Sequence, residues 1–322
     1  MSSSNTSAAL SAPHRNISTA DDRERFTLEL FDALWRTYRE RVSYVRDYEA
    51  VVARCGATFV NDHIAFRTIA CQRPATGISS LSRIFEALGY RAAGSYVFPD
   101  KHLGSLHFQH ANASFPKLFI SELKLWEFPR EVREIVLRTL STHREVPSDE
   151  TLASLWRIQE LSDEQWQTRL DDLVRFIHNV PWAPPEKQDV QSVNKASQFA
   201  AWVLVHGCNV NHFTCLVNSH GVADLGDIET TIARLKQAGV PMKDEIEGQR
   251  GSKLRQTATE AVMIDVPVAE NGRRTTMPWT YAYFEIAERG EIADPETGRP
   301  GRFEGFLGPQ ATQLFEMTQV KS

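Results

Sequence analysis

The chain contains 322 residues, of which 42% are hydrophobic and 24% are charged. This balance is ordinary for globular proteins and leaves enough apolar material for a large core, which excludes wholesale disorder. Lys and Arg number 36 against 41 Asp and Glu, so the formal net charge is −5. The chain lacks the basic excess of a nucleic-acid-binding protein and the roughly 18 continuous apolar residues of a membrane span, so neither partner is predicted.

The cysteines and the N-terminal residues bear on the cellular compartment. Four cysteines, none in a CxxC pair, are too few for a disulfide scaffold and predict a reducing, cytoplasmic setting. Residues 1–20 are rich in Ser and Ala and lack the apolar core of a signal peptide. They are predicted to form a disordered tail.

The first predicted elements are helical and then extended. Apolar residues recur at helical spacing over Asp21–Cys55. The stretch Ala57–Ala70 (ATFVNDHIAFRTIA) then predicts a strand with His63 near its middle. An amphipathic helix is predicted over Thr76–Leu88, and Gly89 ends it.

Extended patterns follow this helix and end in the strand Lys117–Leu125, which carries Glu122 in its middle. The next part of the chain is predicted to be helical. Ser148–Val180 divides at a capping box, and a further helix is predicted over Asp189–Val205. The proline-rich stretch Pro181–Pro185 between them predicts a turn or linker.

The later part of the chain repeats the earlier pattern. A strand is predicted over Cys208–Asn218 (CNVNHFTCLVN), again with a histidine, His212, near its middle. A helix is predicted over Asp227–Ala238, and extended patterns end in Thr280–Arg289 (TYAYFEIAER). This last predicted strand carries Glu285 in its middle, as the first copy carries a glutamate.

The spacing of the two copies supports an internal repeat. His63 precedes Gly89 by 26 residues, and His212 precedes Gly239 by 27. The predicted fold is therefore α+β, with two βαβββ modules forming a curved sheet around a metal site and additional helices packed around it. Residues 21–322 are predicted to be a single compact unit, comprising a first module (57–125), a helical insertion (126–207), a second module (208–290) and a C-terminal extension (291–322).

Three residues at matching places could carry chemistry. If the two sheets face each other, His63, His212 and Glu285 converge. Two imidazoles and one carboxylate form a facial triad that holds a divalent metal with open positions and suits Fe(II), although Zn, Ni or Mn would be compatible with the same ligands. The alternative is that these are buried polar residues satisfied by hydrogen bonds.

Glu122 and Arg67 extend this hypothesis. Glu122 is assigned in the first copy to the place that Glu285 has in the second, so it could be a fourth ligand, or instead a salt-bridge partner or a lost ligand. Arg67 shares a strand face with His63, about 13 Å away at roughly 3.3 Å per residue. Its planar fork suits a substrate carboxylate. An internal ion pair with Asp62 or a nearby Glu is the alternative.

These residues resemble the vicinal-oxygen-chelate superfamily, and more closely the domain-of-unknown-function 1338 family, which is tied to 2-oxoadipate dioxygenase/decarboxylase (hydroxyglutarate synthase). The resemblance covers roughly Asp21 to Thr318. It is carried by the stretches VNDHIAFRTI, LFISELKL, GCNVNHFTCLVN and WTYAYFEIAERG, with GFLGPQATQLFEMT near the C-terminus.

The resemblance implies the roles of particular residues. It implies iron ligands at His63, His212 and Glu285. It implies that Arg67 binds the substrate carboxylate. Gln256 is expected to face the cavity, and Phe306 or Leu307 is expected to shape the pocket.

The reaction implied by the resemblance uses Fe(II), O2 and a 2-oxo acid. Loss of CO2 is followed by hydroxylation of the shortened chain, which would convert 2-oxoadipate into 2-hydroxyglutarate within lysine catabolism. Two alternatives stay open. One is a glyoxalase-like isomerase or lyase that uses Glu122 as an additional ligand. The other is a small-ligand-binding module without enzymatic activity, and the oligomeric state is not predicted.

Overall fold

A computed structural model of the chain describes residues 12–144, 147–293 and 298–308. The helices of these residues are α1 (Asp22–Arg41), α2 (Tyr44–Arg54), α3 (Ile78–Ala87), α4 (Arg130–Leu140), α5 (Asp149–Leu155), α6 (Asp163–His178), α7 (Lys187–Ala196), α8 (Gln198–His206) and α9 (Ile228–Gln237). None of them combines the length and the apolar character that crossing a membrane requires.

The strands of the described residues are β1 (Asn61–Ala70), β2 (Arg91–Phe98), β3 (Leu103–Gln109), β4 (Lys117–Lys124), β5 (Val210–Leu216), β6 (Leu254–Ala258), β7 (Met263–Glu270), β8 (Arg273–Thr280), β9 (Glu285–Arg289), β10 (Glu291–Ala293) and β11 (Pro300–Arg302). Seven of them form one curled sheet in the order β2-β3-β4-β1-β5-β9-β6. This confirms the predicted α+β fold with a curved sheet.

In the first module, β4 lies parallel to β1, while β3 runs antiparallel to β4 and carries β2 at its other side. Helix α3 packs against β1 and β4. Alternation along β1 places Phe66 against Phe85 of that helix, with ring centroids 5.3 Å apart. The opposite face of β1 carries His63 and Arg67, both of which line a pocket.

The second module repeats this arrangement with β5 parallel to β9 and β6 antiparallel to β9. The two modules meet where β1 and β5 pair in antiparallel fashion. In that register His63 lies opposite Thr214, and Ala65 lies opposite His212. The two histidines therefore come from adjacent strands at the centre of the sheet.

Two features of the second module differ from the prediction. The hairpin of β7 and β8 forms a separate two-stranded sheet between β6 and β9 in the chain. The segment before β6, which corresponds to β2, makes only isolated bridges, Met242 with Thr259 and Glu247 with Gln256. The second module thus contributes three strands to the large sheet, whereas the first contributes four.

The prediction of one strand over Thr280–Arg289 is wrong. Strand β8 ends at Thr280, and β9 begins at Glu285, so the glutamate opens a strand instead of lying in its middle. The intervening residues form main-chain hydrogen bonds with Thr259 and Val262, and they also bond to distant side chains. The Tyr38 hydroxyl, for example, donates a hydrogen bond to the carbonyl oxygen of Tyr283.

Capping residues divide the predicted helices. The capping box at Ser162 and Gln165 is present at the start of α6, which confirms that prediction. The single helix predicted over Asp189–Val205 is instead α7 and α8. It breaks at Ser197, whose hydroxyl accepts a hydrogen bond from the Ala200 main-chain nitrogen at 3.1 Å. Asp21–Cys55 likewise forms two helices, α1 and α2.

Helices α1 and α8 pack on the sheet from different sides of the site. The indole of Trp35 on α1 stacks with Phe59 and meets Phe213 of β5 edge-on, with centroids 4.9 and 5.0 Å apart. Residues 199–206 of α8 are all buried. A helix that is apolar on every side is typical of a fully enclosed position, and α8 contacts β1.

The predicted disordered tail is wrong for the part that the structure describes. His14 is buried, and its Nδ1 lies 2.7 Å from Asp32 Oδ1, while its Nε2 lies 2.9 Å from the Asn61 amide. This buried hydrogen-bonded contact holds residues near His14 against α1 and β1. Residues 1–11 and the end of the predicted C-terminal extension, 309–322, lie outside the described residues.

Candidate metal centre and substrate pocket

A pocket opens on the face of the sheet opposite α3. Together with its open mouth it holds about 540 Å³ of space that no atom fills. Strands of both modules line it, and residues 306–308 of the C-terminal segment cover part of it. The residues predicted from the sequence as site residues all line this pocket, namely His63, Arg67, His212, Gln256, Glu285, Phe306 and Leu307.

His63, His212 and Glu285 converge at one end of the pocket. His63 Nε2 lies 3.3 Å from His212 Nε2 and 3.2 Å from Glu285 Oε1, and His212 Nε2 lies 3.4 Å from Glu285 Oε2. Potential ligand atoms from all three lie within 4.8 Å of one another, and all three residues are buried. The structure brings the predicted trio together, and their role as metal ligands stays a prediction.

The residue before each histidine orients its ring. Asp62 Oδ2 lies 2.8 Å from His63 Nδ1, and Asn211 Oδ1 lies 3.1 Å from His212 Nδ1. A hydrogen bond at Nδ1 selects the tautomer whose Nε2 lone pair is available for a metal. Both rings therefore direct Nε2 towards the point where the trio meets.

The carboxylate of Glu285 fits a cation at this point. Its residue is fully buried, and Oε1 accepts a hydrogen bond from the Thr214 hydroxyl at 3.3 Å. Within the described residues Oε2 has no hydrogen-bond partner. Because an unsatisfied buried carboxylate oxygen is costly, two imidazole nitrogens and this carboxylate form a donor set that a divalent metal such as Fe(II) would complete.

The electrostatic surroundings of the two imidazoles differ. Burial favours a low pKa for His63, but Glu285 and the hydrogen bond that His63 donates to Asp62 outweigh it and raise the pKa. Burial holds the pKa of His212 well below its usual value, and the neighbouring His63 lowers it further. His212 is therefore a neutral imidazole near pH 7, which is the form that binds metals.

Glu122 is absent from this group, so the alternative in which it is an additional ligand is wrong. Its Oε2 accepts a hydrogen bond from the Ile78 main-chain nitrogen at 2.8 Å, at the N-terminus of α3. In the second module Glu288 Oε2 accepts from the Ile228 main-chain nitrogen at 2.9 Å, at the N-terminus of α9. The repeat-equivalent of Glu122 is therefore Glu288, on the helix-facing side of the sheet.

This equivalence identifies what the first module has in place of Glu285. Three residues before Glu122 on β4 stands Phe119, as Glu285 stands three residues before Glu288 on β9. Phe119 lines the pocket. Because side chains alternate along a strand, an offset of three residues reverses the face, which is why matching the two glutamates by sequence alone failed.

Arg67 lies farther along the pocket on the same strand face as His63, as predicted. Its guanidinium carbon lies 5.0 Å from the Phe199 ring centroid and 5.2 Å from that of Trp202, both on α8. Burial lowers the pKa of Arg67 to about 10, although a hydrogen bond with Tyr283 opposes this shift. The group therefore stays a cation at neutral pH.

The alternative ion pair between Arg67 and Asp62 is not what the structure shows. The Asp62 carboxylate instead pairs with Arg289, whose Nε and Nη2 lie 2.5 and 2.8 Å from its two oxygens. Burial would raise the pKa of Asp62, but Arg289 and His63 hold it well below its usual range. Asp62 is thus an anion committed to Arg289 and His63.

The other predicted pocket residues have defined contacts. Gln256 Nε2 donates a hydrogen bond to Glu247 Oε2 at 2.8 Å. The Phe306 ring meets the His63 ring edge-on at 4.9 Å and contacts Phe119 at 4.8 Å. Phe306 therefore forms an apolar wall beside the candidate centre.

Sequence reasoning missed several residues that shape the site. The signal for Asp62 and Asn211 was available, because an acid or amide directly precedes each repeat-equivalent histidine. Strand alternation does place Thr214 on the face of His212, two residues farther along β5, but it gives no sign of the bond to Glu285. Arg289 had no comparable signal, since its contact with Asp62 joins residues 227 positions apart.

Comparison with known proteins agrees with this geometry. A family model described as 2-oxoadipate dioxygenase/decarboxylase matches residues 30–302. The chain is 27% identical over 280 residues to the chloroplastic 2-oxoadipate dioxygenase/decarboxylase of Arabidopsis thaliana, covering 80% of this chain and 67% of the relative. The family-model match includes His63, Arg67, His212, Gln256 and Glu285 and ends before Phe306.

Solved structures show the same fold. A glyoxalase superfamily protein from Ralstonia eutropha JMP134 aligns with a TM-score of 0.78 and 22% identity over 94% of each chain. The hydroxyglutarate synthase of Oryza sativa, solved in complex with 2-oxoadipate, aligns with a TM-score of 0.73 and 22% identity over 94% of this chain and 95% of that one. With a family model matching most of its length, this chain belongs to the 2-oxoadipate dioxygenase/decarboxylase family.

Proposed function

We propose that the chain converts 2-oxoadipate and O2 into 2-hydroxyglutarate and CO2, with Fe(II) held by His63, His212 and Glu285. The observation that carries the proposal is the convergence of this trio in a pocket that also contains Arg67. Membership in the family and the 2-oxoadipate complex of the rice relative support the substrate. The reaction balances, since six carbons and both oxygen atoms of O2 are recovered in the two products.

Arg67 binds the carboxylate at the far end of the substrate in this proposal. His63 and Arg67 are separated by four residues on one strand face, about 13 Å between Cα atoms at roughly 3.3 Å per residue. Side chains reaching inward from both positions bracket a short dicarboxylic acid. Contacts with Phe199 and Trp202 limit the rotation of the guanidinium, so the carboxylate is bound in one orientation.

The chain positions the reacting end of the substrate and keeps water from it. When bound, Fe(II) supplies the redox chemistry and the open positions at which a 2-oxo acid and O2 react. Asp62 and Asn211 hold the imidazoles, and the Thr214 hydroxyl holds the Glu285 carboxylate. The rings of Phe119 and Phe306 provide an apolar wall, which limits access of water to the centre.

The alternatives weighed from the sequence lose support from these contacts. The isomerase or lyase required Glu122 as a ligand, and that residue caps α3. A binding module without chemistry has no need for the convergent trio.

As further parts of this proposal, the protein acts in the cytoplasm and in lysine catabolism. Its cysteines Cys55, Cys71, Cys208 and Cys215 are all free thiols, as a reducing compartment would maintain.

The test is O2 uptake by the full chain after anaerobic loading with Fe(II). With 2-oxoadipate we expect O2, CO2 and 2-hydroxyglutarate in a 1:1:1 ratio, and loss of turnover in His63→Ala. Glu122→Gln is a matched control, because this carboxylate lies outside the pocket. Absence of O2 uptake by the metal-loaded protein with 2-oxoadipate and with a panel of other 2-oxo acids would overturn the proposal.

A further inference from the structure

Arg289 joins two distant parts of the molecule through one guanidinium. Its side chain is fully buried. Nε and Nη2 donate to the Asp62 carboxylate, and Nη1 donates to the main-chain carbonyl oxygens of Phe303 and Gly305 at 3.0 and 2.7 Å. Because the guanidinium is rigid and planar, these partners are held in one mutual geometry.

On one side this guanidinium reaches the candidate centre through Asp62. The Oδ2 atom of Asp62 contacts both Arg289 and the Nδ1 atom of His63, at 2.8 Å in each case. Asn211, the equivalent of Asp62, holds His212 with a neutral amide. The position on β4 that corresponds to Arg289 is Leu123, by the same offset that relates Phe119 to Glu285. The charged pair is therefore specific to the first histidine.

On the other side the guanidinium holds residues 303–308, which we call the C-terminal strap. The Phe306 ring of the strap lies 5.1 Å from the guanidinium carbon and contacts His63 edge-on. The Phe306 main-chain nitrogen donates to the Tyr96 hydroxyl at 3.1 Å, and Glu304 pairs with Lys117. The strap is thus fixed over the pocket beside the same histidine that Asp62 orients.

We propose that Arg289 is a positioning residue that couples the C-terminal strap to His63. Through Asp62 it sets the ring orientation of a metal ligand, and through the carbonyl oxygens of Phe303 and Gly305 it seats the strap. Loss of either contact then weakens the other. This inference rests on the proposed metal site, but neither of its measurements requires turnover.

The first experiment titrates the metal-free full chain with Co²⁺ and follows the visible absorption of the bound ion. Arg289→Met is expected to raise the Co²⁺ dissociation constant by about tenfold and to change the shape of the spectrum. This is the lower end of the effect of removing a direct partner of a metal ligand, because Arg289 acts on His63 through Asp62. Arg255→Met is the matched control. Arg255 is also a buried arginine paired with two carboxylates, Glu229 and Glu288, but it does not line the pocket.

The second measurement is the rate of chymotrypsin cleavage after Phe306, identified by mass spectrometry. We expect severalfold faster cleavage in Arg289→Met than in Arg255→Met. Asp62→Asn is the decisive variant, because the asparagine reproduces the hydrogen bond that Asn211 makes in the second module while removing the charge that binds Arg289. Although Asp62 is hydrogen-bonded to no strap residue among those described, its substitution is expected to accelerate cleavage of the strap.

The outcomes separate this inference from the proposed function. If Arg289→Met does no more than Arg255→Met in both measurements, the inference is wrong. If Arg289→Met does not fold, Asp62→Asn decides alone, and wild-type Co²⁺ affinity together with wild-type cleavage would overturn the coupling. Coupling in a protein that binds Co²⁺ but does not turn over 2-oxoadipate would sustain the inference while the proposed function failed.

Discussion

The two modules share one backbone plan but contribute differently to the candidate site. His63 and His212 occupy equivalent positions, and each has its Nδ1 atom bonded by the preceding residue. The modules differ on the strand that lies parallel to each histidine strand, since β9 carries Glu285 where β4 carries Phe119. A single substituted position therefore decides which half of the sheet supplies the carboxylate of the candidate centre.

Charge divides the two halves of the site in the same way. The second module supplies the anionic group of the trio, Glu285, whereas the first supplies the cation Arg67 farther along the pocket. A metal cation is attracted to the first of these and a substrate carboxylate to the second. The duplicated framework thus supports two different binding tasks.

Both modules also carry a glutamate at a helix N-terminus. Glu122 accepts from the first residue of α3, and Glu288 accepts from the first residue of α9. A carboxylate at this place satisfies a free main-chain N–H group and interacts favourably with the helix dipole. Glu122 and Glu288 therefore have the same structural role in their modules, and this role keeps both carboxylates away from the candidate metal centre.

The largest effect is expected from removing the carboxylate of Glu285, which the first module lacks. Glu285→Ala is expected to lower kcat/KM for 2-oxoadipate by more than about 100-fold, beyond the loss usual for an outer partner of a ligand, and to abolish stoichiometric binding of Co²⁺. Steady-state O2 uptake and Co²⁺ titration measure this. Glu122→Gln, the glutamate of the other module, should retain both properties, and a Glu285→Ala protein of wild-type activity would refute the assignment.

The next effect concerns the cation of the first module. Arg67→Met is expected to reduce kcat/KM for 2-oxoadipate by roughly 10- to 100-fold, since a hydrogen bond to a charged group contributes about 1.5–3 kcal/mol. For 2-oxohexanoate, which lacks the distal carboxylate, the same substitution should have little effect. The ratio of the two specificity constants checks the role of Arg67, and equal losses for both substrates would argue against it.

A smaller effect is expected at the paired caps. Glu122→Gln should lower the free energy of unfolding by about 1 kcal/mol, as for the loss of a helix cap. Glu288→Gln should cost more, because Glu288 also accepts a hydrogen bond from the buried Arg255 at 3.2 Å. Urea unfolding of the metal-free chains measures both values. Equal costs would show that the contact with Arg255 adds nothing.

The smallest effect is a change in pH dependence. Glu285 and Asp62 raise the pKa of His63 against the effect of burial, and a protonated imidazole does not bind a metal. Co²⁺ affinity should therefore weaken as pH falls through this raised pKa. Asp62→Asn removes one of the groups that raise it, so the break in a plot of log Kd against pH should move to lower pH. An unchanged or higher break would show that Asp62 does not set the protonation of His63.

Local pattern predicted a large share of the fold. Alternation around His63 and His212 predicted β1 and β5, and helical periodicity ended by Gly89 and Gly239 predicted α3 and α9. The interruption before Glu285 was not predicted, because the residues concerned bond partly to main-chain groups of Thr259 and Val262 and partly to side chains such as Tyr38 of α1. Such partners are distant in the chain and leave no periodic signal.

The candidate site shows the same division. That each histidine belongs to a repeated strand could be inferred from the sequence, as could the common face of His63 and Arg67, since strand geometry fixes both. The sequence could not show that Glu122 points towards a helix. A shift of one or three residues in the alignment of two strands moves a side chain to the other face of the sheet, and such a shift leaves the composition unchanged.

The sequence by itself determined the repeated strand–helix units, the three residues of the candidate centre and the family to which the chain belongs. Only the tertiary structure decided the register that places His63 beside Thr214, the role of Glu122 as a helix cap and the contacts of Arg289 with Asp62 and the C-terminal strap. The physical reason is the distance along the chain over which each kind of interaction acts. Periodicity and capping act over a few residues, whereas strand register and buried ion pairs depend on packing between segments more than a hundred residues apart.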